Sequence, residues 1–308
     1  MQQLNRANCV RAFTIAAAAG LCVQGSVANA QPSAQPQAQP AAPTTASAAG
    51  TASDPAALNP ADTPWSLRLS GRAWYVAPSG DLQLSSQNGL GSTVKLSDLN
   101  LDKPRVTPFV QLDLQADKWL LTLSGGGVSV SGVSLSPGAV QIGNTAVGAG
   151  QAVDAKFEYT TVQAMVGYKI YAYDLSNDRE GDTGDTALRL HALGGLRVHD
   201  LSTKAQRPGV AGSLSEDSRT TVDLIAGLRG ELQIARQFAI EVDLSAGALD
   251  SSYSWDIAAA FAYRPCTNFG VQIGYRNLGV QVKDGSGNNQ FKWDGGLAGL
   301  FVGAQFRF

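Results

Sequence analysis

The sequence predicts an all-β fold: an antiparallel up-and-down transmembrane β-barrel of about ten strands, with eight or twelve also compatible, whose apolar faces point outward into lipid. Three observations predict it. From Trp65 to Phe308 the chain alternates apolar and polar residues with a period of two, in segments bounded by Gly, Asn, Asp or Pro. Amphipathic rings stand at both ends of several apolar faces. The final stretch, "GLAGLFVGAQFRF", keeps this alternation to the last residue, where a chain end is ordinarily frayed and polar.

The first segment, "WSLRLSGRAWYV", puts Trp65, Leu67, Leu69, Gly71, Ala73 and Tyr75 on one face and Ser66, Arg68, Ser70, Arg72 and Trp74 on the other. Residues 106–116 set Val110, Leu112 and Leu114 against Gln111, Asp113 and Gln115, and "WLLTLS" sets Trp119, Leu121 and Leu123 against Thr122 and Ser124. The glycines of "LSGGGVSVSG" read as a bend or bulge. Residues 154–173 form a further segment whose alternation shifts near Thr160. In "LRLHALGGLRVHD", Leu188, Leu190, Leu196 and Val198 face away from Arg189, His191, Arg197 and His199. Residues 219–235 oppose Val222, Leu224, Leu228, Leu232 and Ile234 to Arg219, Asp223, Arg229 and Glu231. Phe238, Ile240, Val242 and Leu244 then oppose Glu241 and Asp243. Tyr253, Trp255, Ile257, Phe261 and Tyr263 oppose Asp256 and Arg264, and Phe269, Val271, Ile273 and Tyr275 oppose Gln272 and Arg276.

A soluble β-sandwich would hide these apolar faces in a dry core, whereas a membrane barrel turns them toward lipid and lines its lumen with the polar ones. The rings favour the barrel. Trp65 and Tyr75 are ten residues apart, as are Tyr253 and Tyr263; at about 3.3 Å per residue and a tilt near 45° each pair spans roughly 23 Å, close to the height of a lipid-facing band. With Phe308 on the periplasmic side, Trp65, Trp119, Phe238, Tyr263 and Phe269 fall in one girdle and Tyr75, Tyr253, Trp255 and Tyr275 in the other. Short turns at "QADK", "IARQ" and "RPCTN" are then periplasmic, and longer loops at 77–104, 132–153 and 201–218 external. The acidic stretch "DLSNDREGDTGD", with Asp178, Glu180 and Asp182, is long for a periplasmic turn and reads as solvated.

Ahead of the barrel, Arg6 and Arg11 precede an apolar run ending at Ala28-Asn29-Ala30, so residues 1–30 read as a secretory signal peptide. Residues 31–64 hold seven of the 13 prolines and almost no large apolar side chains, the composition of a disordered Ala/Pro/Gln-rich linker. Removing the signal leaves 21 basic against 25 acidic residues, which speaks against a nucleic-acid partner. Cys266 is the one cysteine carried into the mature chain, so no internal disulfide is expected there.

The closing strand, with Leu300, Val302, Ala304, Phe306 and Phe308 on one face, resembles the C-terminal strand of bacterial outer-membrane β-barrel proteins, and "ALGGLRV" and "VQIGYRNLGVQV" resemble strands of the broad OmpA-like and OmpW-like small barrels. The resemblance covers residues 65–308. It implies location in the outer membrane of a Gram-negative cell envelope, and recognition of those five residues by the β-barrel assembly machinery. The final strand must also pair with the first, because lipid cannot hydrogen-bond an open sheet edge.

The inward faces gather Arg68, Arg72, Asp113, Arg189, Arg197, Asp223, Arg229, Glu231, Glu241, Asp243, Asp256 and Arg276, with Arg264 and Arg307. Ten strands lie near the size at which side chains fill a barrel, so these charges read as a network occupying the lumen. The function expected is a structural role or an interaction through the external loops, the ligand of those loops unknown; a narrow pore or transport route for small solutes is the alternative, and an outer-membrane hydrolase a third reading. His191 and His199, the only histidines, stand roughly 26 Å apart on one strand and cannot act together. No catalytic motif, cofactor site or metal site is expected.

Overall fold

The computed structural model describes residues 65–86, 91–174, 186–210, 213–235, 237–250 and 252–308. The expected signal peptide (1–30), the linker (31–64) and the acidic residues Asp178, Glu180 and Asp182 lie outside them. The strands are β1 (Trp65–Gln83), β2 (Val94–Lys95), β3 (Arg105–Ala116), β4 (Trp119–Leu135), β5 (Val140–Ile142), β6 (Thr145–Val147), β7 (Ala152–Asp174), β8 (Ala187–Gln206), β9 (Ser215–Ala235), β10 (Phe238–Leu249), β11 (Ser252–Cys266), β12 (Phe269–Asp284) and β13 (Phe291–Arg307).

Ten of them close a barrel in the order β1-β3-β4-β7-β8-β9-β10-β11-β12-β13, each antiparallel to the next, and β13 returns to β1. Closure places Leu69 opposite Phe306, Ala73 opposite Val302 and Tyr75 opposite Leu300. At the last residue the Phe308 N–H donates to the Leu67 carbonyl at 2.9 Å, and the Leu67 N–H donates to the Phe308 carbonyl at 3.1 Å. The alternating C-terminus is thus the seam of the cylinder. Cys266, expected to be without an internal disulfide in the mature chain, is disulfide-bonded.

Which face meets which medium is decided by two measurements. Leu224 and Ile257 are 61% and 47% exposed, while Arg197 and Arg276 are 0% and 4% exposed. A belt of exposed Leu, Val, Ile and aromatic side chains encircles the cylinder, far beyond the few hundred Å² of apolar patch a water-soluble monomer tolerates. Trp119 packs edge-on against Tyr168 at 5.2 Å and Phe238 against Tyr263 at 5.2 Å in the periplasmic girdle. Phe269 is turned against Phe306 at 5.5 Å and is buried there.

The strands continue well past this belt, and their polarity inverts as they do. On β7 the outward residues Val162 and Val166 give way above Thr160 to Glu158 and Lys156, while the inward set changes from Thr161 and Gln163 to Tyr159, Phe157, Ala155 and Val153. On β8 the outward change comes between Val198 and Asp200, and on β9 between Val222 and Thr220. Outside the membrane water surrounds the cylinder, so the upper storey is built like a soluble sheet, oily within and polar without. Its core includes Leu82, Leu96, Leu101, Phe157, Leu201, Val282, Phe291 and Trp293.

This inversion corrects three expectations. The shift near Thr160 is no break in the strand: pairing with β4 and β8 is continuous there, and the one register shift of β7 falls at Ile170, between Lys169 and Tyr171. That bulge turns Tyr171 and Tyr173, both exposed, outward with Tyr168 to widen the periplasmic girdle. The expected external loops 77–104, 132–153 and 201–218 begin as strand, since β1 runs to Gln83, β4 to Leu135 and β8 to Gln206. Gly125, Gly126 and Gly127 pair without interruption opposite Val162, Thr161 and Thr160, so no bulge is present; at Gly126 a Cβ would stand 2.8 Å from the Phe109 ring, which explains the small residue.

The two storeys give a paired prediction on one face of one strand. Leu228→Arg, near the middle of the lipid belt, is expected to destabilise the inserted barrel by about 2–4 kcal/mol, and Ser218→Arg, above the membrane, by less than about 0.5 kcal/mol. Urea unfolding of each variant from lipid vesicles measures both, and equal losses would contradict the boundary drawn at Val222.

Candidate functional site

The lumen is where side chains from every part of the sequence converge, and strand register explains how. Asp113 stands directly across from Arg68 on β1 and from Thr122 on β4. Its carboxylate accepts from Arg68 Nε at 3.0 Å, Arg229 Nη1 at 2.8 Å, Thr122 Oγ1 at 2.7 Å and Gln111 Nε2 at 2.9 Å. Arg229 also donates through Nε to Asp243 at 2.5 Å. Arg68 donates to Glu241 at 2.8 Å, Arg264 donates to Glu241 at 2.6 Å and Glu231 at 2.7 Å, and Arg307 lies 3.5 Å from Glu231. Asp113, Glu241 and Glu231 are each shared by two arginines, and the contacts Arg229–Asp113, Arg68–Glu241 and Arg307–Glu231 join strands that are not neighbours, which ties the cylinder across its lumen.

A second cluster sits around Asp256. Arg276 donates to it through Nε at 3.0 Å and Nη2 at 2.6 Å, and Arg197 approaches at 3.3 Å. Arg197, fully buried, also donates to Gln163 at 2.9 Å, Ser245 at 2.7 Å and Ser254 at 3.2 Å. Above it His199 Nε2 lies 3.1 Å from Asp223, and its Nδ1 lies 2.6 Å from the Tyr159 hydroxyl. A carboxylate only accepts, so Nε2 carries the proton and Nδ1 accepts from Tyr159. Ser254 donates to Asp223 at 2.5 Å, and Ser252 donates to it as well.

Two of the charges named from sequence stand apart. Arg189 is half-buried and makes no ion pair among the described residues. Arg72 has no carboxylate partner either: its guanidinium rests between the rings of Phe301 at 4.9 Å and Phe109 at 5.8 Å. His191 is buried on the same strand as His199, eight residues away, and Asp200 points outward to accept from Thr220 at 2.8 Å. Sequence reasoning missed Tyr159, Gln163, Ser245, Ser252 and Ser254. All five share the inward parity of their strands, a signal that was available once each strand's register was known.

The apolar storey sits directly above these clusters. Trp293 packs against Phe157 at 5.3 Å and Tyr159 at 5.5 Å, and all three are essentially inaccessible. Over it the connecting segments lock together: Ser86 N–H donates to the Asn288 carbonyl at 2.7 Å, Ser92 N–H to Gln141 at 2.7 Å, and Thr145 bonds to the Ser213 carbonyl. Arg219 bridges Asp217 at 2.7 Å and Asp284 at 2.8 Å, above the short turn between β10 and β11. No group of His, Cys, Asp or Glu able to hold a metal occurs among the described residues.

A closed ten-strand cylinder with an oily belt, aromatic girdles and a charged interior is an outer-membrane β-barrel, and the bilayer is its surrounding medium. Among solved structures, the chain is similar to the outer-membrane protease OmpT from Escherichia coli, with TM-score 0.50 and 10% identity over 80% of this chain and 98% of that one. That likeness shows the fold. Ail of Yersinia pestis (TM-score 0.31, 14% identity, 79% of this chain and 97% of that one) and Neisserial surface protein A (0.30, 10%, 80% and 98%) also align. No protein-family profile matches the sequence, and no curated protein matches it.

Proposed function

We propose that this barrel is a non-conducting, non-enzymatic outer-membrane protein that acts through its raised external rim. The observation that carries the reading is the double closure of the lumen: a cross-wall ion network within the membrane, and a hydrophobic core with locked connections above it. The residues that would suggest hydrolysis support the same reading. His199 and Asp223 are fully buried, and Ser252 and Ser254 both donate to Asp223, so neither of these hydroxyls is aligned with the imidazole as a base. Reconstituted into planar bilayers, the purified barrel is expected to give no discrete current steps. Steps abolished by cross-linking lumen side chains would establish the narrow pore instead.

The lipid-facing set Leu300, Val302, Ala304, Phe306 and Phe308 supports a second part of the proposal, that the assembly machinery reads this strand before the seam forms. Deleting Phe308 removes both hydrogen bonds to Leu67 and is expected to lower the yield of folded barrel in the outer membrane, scored as the heat-modifiable form on a gel. Unchanged yield would remove this signal role.

A further inference from the structure

We infer that the lumen holds a small monovalent anion, of the size and chemistry of chloride, in the cavity beside Arg72 and Arg276. The cavity measures about 20 Å³, enough for a single small ion or water, and sits between the two ion clusters. Arg72, Arg276 and Phe109 all line it, the Arg276 guanidinium 4.1 Å and the Arg72 guanidinium 5.8 Å from the centre of the Phe109 ring. Arg72 is 8% exposed and Arg276 4%, yet Arg72 Nε and Arg276 Nη1 have no hydrogen-bond partner. Two buried like charges, each with an unused donor, thus line one small space.

The remaining lining decides what that space accepts. Gln163 and Ser245 present their acceptor oxygens to Arg197, which leaves the Gln163 amide N–H and the Ser245 hydroxyl proton free to donate. Both Asp256 oxygens are taken by Arg276 and Arg197, and Asp243 Oδ1 is taken by Arg229. Asp243 Oδ2 is the one carboxylate oxygen of the lining left uncommitted. A water could donate only to Asp243 Oδ2 and would bring no charge to offset Arg72, which has no ion pair among the described residues, whereas an anion accepts from the free donors of the lining and compensates that charge. The small volume excludes sulfate and phosphate.

The test uses the full barrel refolded in detergent with sodium bromide as the only halide, so that the ion is trapped as the barrel closes. Crystals measured at the bromine absorption edge are expected to show an anomalous peak beside Arg72 and Arg276, and Arg72→Met is expected to lose it. Exchanging chloride for gluconate at constant ionic strength is expected to lower the melting temperature of the wild type and leave that of Arg72→Met unchanged. If Arg72→Met fails to refold, the bromide peak and the gluconate shift of the wild type decide alone. A water in the cavity of bromide-grown crystals, with no anomalous signal there, would overturn the assignment, as would equal melting temperatures in chloride and gluconate.

Discussion

Asp113→Ala is expected to destabilise the folded barrel by about 3–5 kcal/mol, because it leaves the guanidinium groups of Arg68 and Arg229 buried without their shared acid. Asp113 is 3% exposed and accepts from Arg68, Arg229 and Thr122 on other strands and from Gln111 on its own. Urea titration in lipid vesicles reads the loss as a lower midpoint. The same logic predicts compensation. Adding Arg229→Met to Asp113→Ala removes one of the two guanidinium groups that lost this acid, and the pair is expected to lose less than the two single losses added. A loss below about 1 kcal/mol for Asp113→Ala would mean that the cluster is solvated and that the lumen is open at this level.

Trp293→Ala is expected to cost about 3–5 kcal/mol through a different mechanism, the cavity left when the largest fully buried side chain is cut back to a methyl group. Its neighbours Phe157 and Tyr159 belong to the long β7 wall, which cannot collapse inward without breaking its pairing to β4 and β8. Hydrogen exchange should therefore rise in the upper parts of β7, β12 and β13 while the membrane-level amides stay protected. Retained heat-modifiability together with this localised loss would separate the two storeys. Uniform loss of protection over the whole barrel would show that they fold as one unit.

The membrane storey was legible in the sequence because lipid on one side and a charged lumen on the other make every second residue speak: Leu224 and Asp223, or Ile257 and Asp256, cannot be mistaken for one another. The closing strand was legible for the same reason, as was the inward placement of Arg68, Asp113 and Arg229. The upper storey was not. Val128 and Val130, or Phe157 and Tyr159, alternate as clearly, but with the opposite sense, and a reader who fixes apolar as outward takes the inversion for a loop or a slip. The clusters themselves needed register: His199 and Asp223 lie 24 positions apart and meet because Arg197 stands opposite Asp223 across β8 and β9. The solitary position of Arg72 is a property of what surrounds it, and no pattern on its own strand announces it.

The inversion of polarity above Thr160 has a consequence for reach. From Val222 to the start of β9 at Ser215 the wall climbs seven residues, which at about 3.3 Å each and a tilt near 40° is a height of roughly 18 Å. The polar headgroup zone on one side of a bilayer is about 5–8 Å deep. The start of β9 at Ser215 is therefore carried on a stiff pedestal to about 10 Å clear of the headgroups, so the rim interaction proposed above would be made at a distance from the membrane surface.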